Sequence, residues 1–255
     1  MRQAVLAVAT VLVSIATANA SLIGADHAGN YGGSWNTGSN GGTNFGAWSI
    51  SASGTAGTFI GDPAAAGIAG MNAASFGMYA NPNGPGNYVN ADRAFGGGAM
   101  VADDVFSLVW GVNWDSDGTG NKGFNLYSGG AGGTQLININ MGGSSAITYD
   151  IGGGAQPLFN NYGVNGMLFS FWYLGGNQLR LQVTGRDGVE SFDQTLNLAG
   201  SPDSFRLYAS DLATGDQRQP YVNDFSMTHT VPEPGSLALI GLGIAGVLIA
   251  RRMRK

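Results

Sequence analysis

Cysteine is absent from this chain, histidine occurs twice, and charged residues make up only 11% of its 255 positions. Without cysteine there is no disulfide framework, no thiolate nucleophile and no cysteine-based zinc site, so an exported domain must hold together by core packing and sheet hydrogen bonds alone. The two histidines, His27 and His229, are too far apart in sequence to form a His-Glu-x-x-His metal motif or an evident catalytic pair, and both read as solvated or turn residues. No Gly-x-Ser-x-Gly nucleophile elbow is present either. Lysine is almost missing, and Glu190 is the only glutamate between residues 21 and 230. Over that span six cations face fifteen anions, a net charge of −9. Such a surface excludes nucleic acid and anionic lipid as partners of the body, because both require a basic face.

Long apolar runs are confined to the two ends. At the start, Arg2 is followed by an apolar stretch from Ala4 to Thr17 and then by Ala18-Asn19-Ala20. A basic residue, an apolar core and a small-x-small site are the three parts of a secretory signal peptide, so residues 1–20 read as a signal and the mature chain starts at Ser21. At the other end, "LALIGLGIAGVLIARRMRK" contains Gly241, Gly243 and Gly246 at the spacing of a dinucleotide-binding turn. That reading fails for lack of space: no second strand and no acidic residue follow, as the motif requires. Residues 236–250 carry no charge and form a run roughly 22 Å long as a helix, against a hydrocarbon core of about 30 Å. Pro234-Gly235 opens the run. Arg251, Arg252, Arg254 and Lys255 close it and can snorkel to the headgroups, which keeps this end cytoplasmic.

The order Val231-Pro232-Glu233-Pro234, then a short apolar helix, then a basic cluster, resembles the PEP-CTERM sorting signal. That resemblance implies a substrate of exosortase, an integral-membrane transpeptidase-like enzyme, in a Gram-negative bacterium that makes exopolysaccharide. It further implies cleavage near Pro232-Glu233-Pro234, transient mooring in the inner membrane, and delivery of the body to the cell surface or beyond. The signal spans residues 231–255 and is silent on what the body does.

Glycine supplies 40 of the 210 residues from 21 to 230. Such a chain does not sustain helices, and no stretch keeps an apolar 3.6-residue period over three turns. Alternation is what it keeps. In "FSLVWGVNW", Phe106, Leu108, Trp110, Val112 and Trp114 fall on one face; "QLRLQVTG" and "SFRLYAS" repeat the pattern with Leu179, Leu181, Val183 and with Phe205, Leu207, Ala209. Further strands are predicted at 48–53, 57–60, 75–79, 123–127, 135–141, 147–151, 167–174, 189–196 and 221–228. Gly175-Gly176-Asn177 and Asp187-Gly188 supply hairpin turns. The prediction is an all-β chain with one antiparallel β-sandwich at 47–230, preceded by a Gly/Asn/Ser-rich segment at 21–46 that reads as loop or frayed edge. The arrangement resembles the concanavalin A-like jelly roll, with "QPYVNDFSM" in the place of that family's last core strand. Its members bind or cut carbohydrate, which implies a glycan partner such as exopolysaccharide.

Three groups of side chains could carry function. "WDSDGTGNKG" reads first as a polar hairpin built from turn-favouring residues; as the alternative it places Asp115, Asp117 and Asn121 around a glycine turn, as a calcium ion would want, with Asp103 and Asp104 as further oxygen donors. The spacing is not that of an EF-hand, so no cofactor is expected beyond that structural calcium. Trp35 and Trp48 are candidates for stacking on a sugar, whereas Trp110, Trp114 and Trp172 read as core. A glycosidase needs two carboxyls flanking one bond, and Glu190 lies at odd spacing from both Asp187 and Asp193, so on one strand they point apart. The expectation is therefore a non-catalytic surface or matrix protein, with a lectin-like, calcium-assisted carbohydrate-binding module as the alternative and a glycoside hydrolase as a distant one.

Overall fold

The computed structural model describes residues 18–81, 85–113, 120–185 and 187–232. Among these residues the regular structure is fifteen strands and three short 3-10 turns. The strands are β1 (Ala18–Asp26), β2 (Ser49–Ser53), β3 (Ala56–Gly61), β4 (Ser75–Ala80), β5 (Tyr88–Ala94), β6 (Asp104–Gly111), β7 (Asn121–Ser128) and β8 (Thr134–Gly142), followed by β9 (Ile147–Asp150), β10 (Gln156–Phe159), β11 (Met167–Gly175), β12 (Gln178–Thr184), β13 (Ser191–Asn197), β14 (Ser204–Ser210) and β15 (Tyr221–Pro232). They build two antiparallel sheets. One runs β13-β12-β11-β6-β15-β4-β3, with β1 also paired to β15; the other runs β10-β9-β8-β7-β14-β5-β2. Leu22–His229 forms one compact unit. Of the second unit, Met1–Ser21 with Thr230–Lys255, only the outer ends of β1 and β15 lie among the described residues.

The predicted alternation sets which face each strand buries. Phe106, Leu108 and Trp110 of β6, Leu179, Leu181 and Val183 of β12, and Phe205 and Leu207 of β14 are all fully buried between the sheets. With no long helix among the described residues to cover them, period-2 strands of this kind bury one face by stacking on a second sheet, which is the sandwich. Both expected hairpins form: β11 pairs with β12 through Gly175, Gly176 and Asn177, all at positive φ, and β12 pairs with β13. The last strand departs from simple alternation. Between Asn223 and Ser226 its register against β6 shifts, and Asp224 adopts φ 53°. This bulge turns Tyr221 away from the main core onto a smaller cluster with Ala66 and Ile68, while Phe225 and Met227 face inward.

Three strands escape the sequence pattern: β1, β5 and β10. Residues 27–46 are largely loop, as expected, but residues 21–26 lie in β1 and the loop is anchored in the core. Trp35 and Phe45 are buried in the main core, and Asp26 of β1 is buried with them. Asp26 pairs with Arg93 of β5, with both side chains fully buried. The remaining valences are filled: Asp26 also accepts from His27 N, Asn30 Nδ2 and Tyr31 Oη, while Arg93 donates to Gly46 O and Asn40 Oδ1. The guanidinium also sits over the rings of Phe45 and Trp48. A desolvated ion pair is tolerated when its lone pairs and protons are met in this way. The apolar run at 236–250 lies outside the described residues; among the described ones no helix is long and apolar enough to cross a membrane.

Candidate functional site

The outer face of the second sheet is built from residues between the buried ones. Strand registers align them in rows across the sheet. One row reads Ser51, Asn90, Tyr208, Gly123, Asn140, Thr148; the next reads Ser49, Asp92, Arg206, Asn125, Asn138, Asp150. Together with Asn121, Tyr127 and Gln135 these rows enclose an open groove of about 310 Å³, lined by Asn90, Asn121, Asn125, Asn138, Asn140 and Tyr208 among others. Six side-chain amides on one face of three strands is far from the usual strand composition, which favours β-branched and aromatic residues.

Gly123 makes the groove deep enough to hold a ring. A Cβ there would lie 1.9 Å from the carbonyl oxygen of Ile139 and 2.8 Å from Tyr208 Oη. The Tyr208 phenol occupies that gap, with its hydroxyl 2.8 Å from Asn138 Oδ1 and 2.9 Å from Asn140 Oδ1. Burial pushes this hydroxyl well above the ordinary tyrosine range, against the opposing effect of the Asn138 hydrogen bond, so it is a fixed donor at any physiological pH. Asn125 Nδ2 donates to Gln135 Oε1 and Asn138 Oδ1, and Asn140 Nδ2 donates to Asn121 Oδ1. The amides thus hold one another in place. Asn138 Nδ2 and Gln135 Nε2 donate to no described residue, and the Asn90 side chain has no described partner at all.

Charge on this face is muted. Arg206 makes a bidentate pair with Asp92, at 2.6 and 2.9 Å, and lies over the ring of Tyr127. Asp150 at the rim accepts from the backbone of Gly152 and Gly154. Tyr88 follows the same outward parity as Asn90, lies across Ser210 from Asn121, and is 41% exposed.

The residues singled out by sequence fare unequally. Asn121 lines the groove, but Asp115 and Asp117 lie outside the described residues. Asp104 opens β6 and Asp103 immediately precedes it. Asp104 faces His229, 2.7 Å away, so His229 is paired rather than merely solvated. Trp35 and Trp48 are each 1% exposed, packed edge-on against each other with centroids 5.1 Å apart, so neither ring has a free face for sugar. Trp110 is core as expected; Trp172 is not, since β11 turns Phe171 and Tyr173 inward and leaves Trp172 half-buried under Arg180. Trp114 is undescribed. Asp193 is held by Arg180 and Gln182, and the Arg180 hydrogen bonds keep its carboxyl below the usual range. The groove itself went unread in the sequence. Its one signal in the sequence is the alternation of Asn in "NKGFNLY" and "LININM", interleaved with the buried apolar residues.

Val231 and Pro232 end β15, while Glu233, Pro234, Arg251, Arg252, Arg254 and Lys255 lie outside the described residues. Ala18 and Ala20 lie in β1. Residues 230–255 match the PEP-CTERM protein-sorting motif. No curated protein matches the chain. Among solved structures it is similar to a sialidase, at 8% identity and a TM-score of 0.45 over 73% of this chain and 17% of that one. It is also similar to the binding domain of botulinum neurotoxin serotype D, at 8% identity and a TM-score of 0.41 over 77% and 47%. A third is the VIP36 exoplasmic/lumenal domain in its Ca2+/Man3GlcNAc-bound form, at 10% identity and 0.40 over 73% and 84%. The chain spans under half the length of the first two.

Proposed function

We propose that this is an exported protein, processed by exosortase at its C-terminal signal, whose body is a non-catalytic surface or matrix component that holds glycan in the amide groove. The sandwich is read as a concanavalin A-like jelly roll, and the glycan as the exopolysaccharide of a Gram-negative producer. The sorting motif at 230–255 supports the itinerary. The binding role rests on one observation: a groove lined by amides and hydroxyls beside the Asp92-paired Arg206, with Asn90, Asn138 and Gln135 keeping donors free. Amides offer a donor and an acceptor side by side, which is what a sugar's vicinal hydroxyls match.

Binding is favoured over hydrolysis because the carboxylates at the groove are already engaged. Asp92 is clamped by Arg206 and Asp150 caps a glycine turn, whereas glycosidic cleavage needs two carboxyls free to exchange protons across one bond. The discriminating experiment follows the native protein in producing cells and in cells that make no exopolysaccharide. Retention in the matrix of the first and release into the medium of the second is the expected pattern. Equal release from both would remove the matrix role.

A further inference from the structure

The groove's electrostatics narrow the ligand further, given the glycan-holding role above. Among the described residues Arg206 is the cation on this face, and its Nε and Nη2 both donate to Asp92, which neutralises its charge. Lys122 points the other way, fully buried with Nζ on Arg218 O, and Arg93 is buried against Asp26. Asp150 adds an anion at the rim, within a body of net charge −9. A uronate or sulfate group entering here would meet only a cation already neutralised by Asp92, within a repulsive field. Uncharged hydroxyls would meet the unpaired amides of Asn90, Asn138 and Gln135.

Shape agrees with an extended ligand. From Asn90 on β5 across β14 and β7 to Asn140 on β8, the groove runs three interstrand spacings, about 14 Å, room for a short oligosaccharide lying across the strands. At its open flank Tyr88 presents an exposed ring beside Asn90, with only the small Ser210 between it and Asn121. An exposed ring beside a row of amides can stack against the apolar face of a pyranose while the amides take its hydroxyls.

We propose that the groove selects a neutral, hydroxyl-rich polysaccharide over uronate-containing or sulfated ones, with Asn90, Asn138 and Gln135 as its hydrogen-bonding residues and Tyr88 as its stacking face. The test titrates the full-length protein, in detergent, with a neutral glucan, a neutral mannan, a polyuronate and a sulfated glucan at fixed ionic strength. At least one neutral polymer is expected to bind, and neither acidic one. Tyr88→Ala, at an exposed position, should weaken that binding about tenfold with the thermal midpoint unchanged. Asn90→Ala should do likewise. Preferential binding of an acidic polymer would overturn the selectivity while leaving the glycan role intact. Neutral binding unaffected by both variants would move the site elsewhere, and no binding to any polymer would remove the glycan role itself.

Discussion

The residue pair with most at stake is Arg93 and Asp26. Both are fully buried, and each has its hydrogen-bonding capacity met by neighbours from the Gly/Asn/Ser-rich segment. Asp26→Asn would leave the guanidinium charged, desolvated and unpaired. Loss of one partner of a buried pair costs about 3–5 kcal/mol, so the midpoint of urea unfolding should fall steeply with the slope unchanged. A change under about 1 kcal/mol would mean that water or another group takes the carboxylate's place. Nothing in the sequence marks this pair. Asp26 and Arg93 lie 67 positions apart in stretches with no apolar period. An inward-facing arginine is the very feature that hides β5, whose buried face is Val89, Ala91 and Arg93.

Tyrosines supply the second residue-scale expectation. Burial raises the hydroxyls of Tyr208, Tyr31, Tyr127 and Tyr221, the last to about 12 with help from Asp216 and Asp62. A group whose folded pKa exceeds its unfolded value of about 10 gives its full contribution to stability below pH 10. That contribution is lost as pH climbs towards 12. Stability should therefore be level up to about pH 9.5 and decline above pH 10, with late tyrosinate absorbance appearing together with the loss of structure. Tyrosinate emerging fully below pH 10 in the folded protein would contradict the burial of these rings.

At the scale of elements, the strands legible in the sequence are those whose inward residues are uniformly apolar, such as β6, β12 and β14. β10 is too short to show a period, and β1 is masked by the signal-like composition before it. The groove illustrates the same limit from the outside: alternation reveals which residues face out, but only the register of β5, β14, β7 and β8 brings their amides into rows. Gly123 is where that register is tightest. Gly123→Ala would drive a methyl into the Ile139 carbonyl and the Tyr208 hydroxyl, and overpacking of this kind costs typically 1–3 kcal/mol. Calorimetry should show that loss, and polysaccharide affinity should fall with it as Tyr208 leaves Asn138 and Asn140. An unchanged thermal midpoint would mean that β7 and β8 can separate locally at no cost.

At the scale of the whole molecule, two chemistries share one chain. The body is acidic and cysteine-free, suited to an oxidising exterior without depending on it. The tail is apolar and ends in four cations, all removed from the body's own charge balance once the tail is cut. A body of net −9 gains nothing from an anionic membrane surface, so once the signal peptide is removed the tail is the expected point of attachment. In cells lacking exosortase, the protein should therefore stay at full tail length in the membrane fraction and resist extraction by high salt. With exosortase present, mass spectrometry should find a product ending near Pro232, at the close of β15, recovered outside the inner membrane. Every core strand is kept in that product, since Phe225 and Met227 are the last buried core residues of the chain's described part. A tail of unchanged mass in exosortase-positive cells, or a full-length precursor washed off membranes by salt, would break the link between the motif and the protein's itinerary.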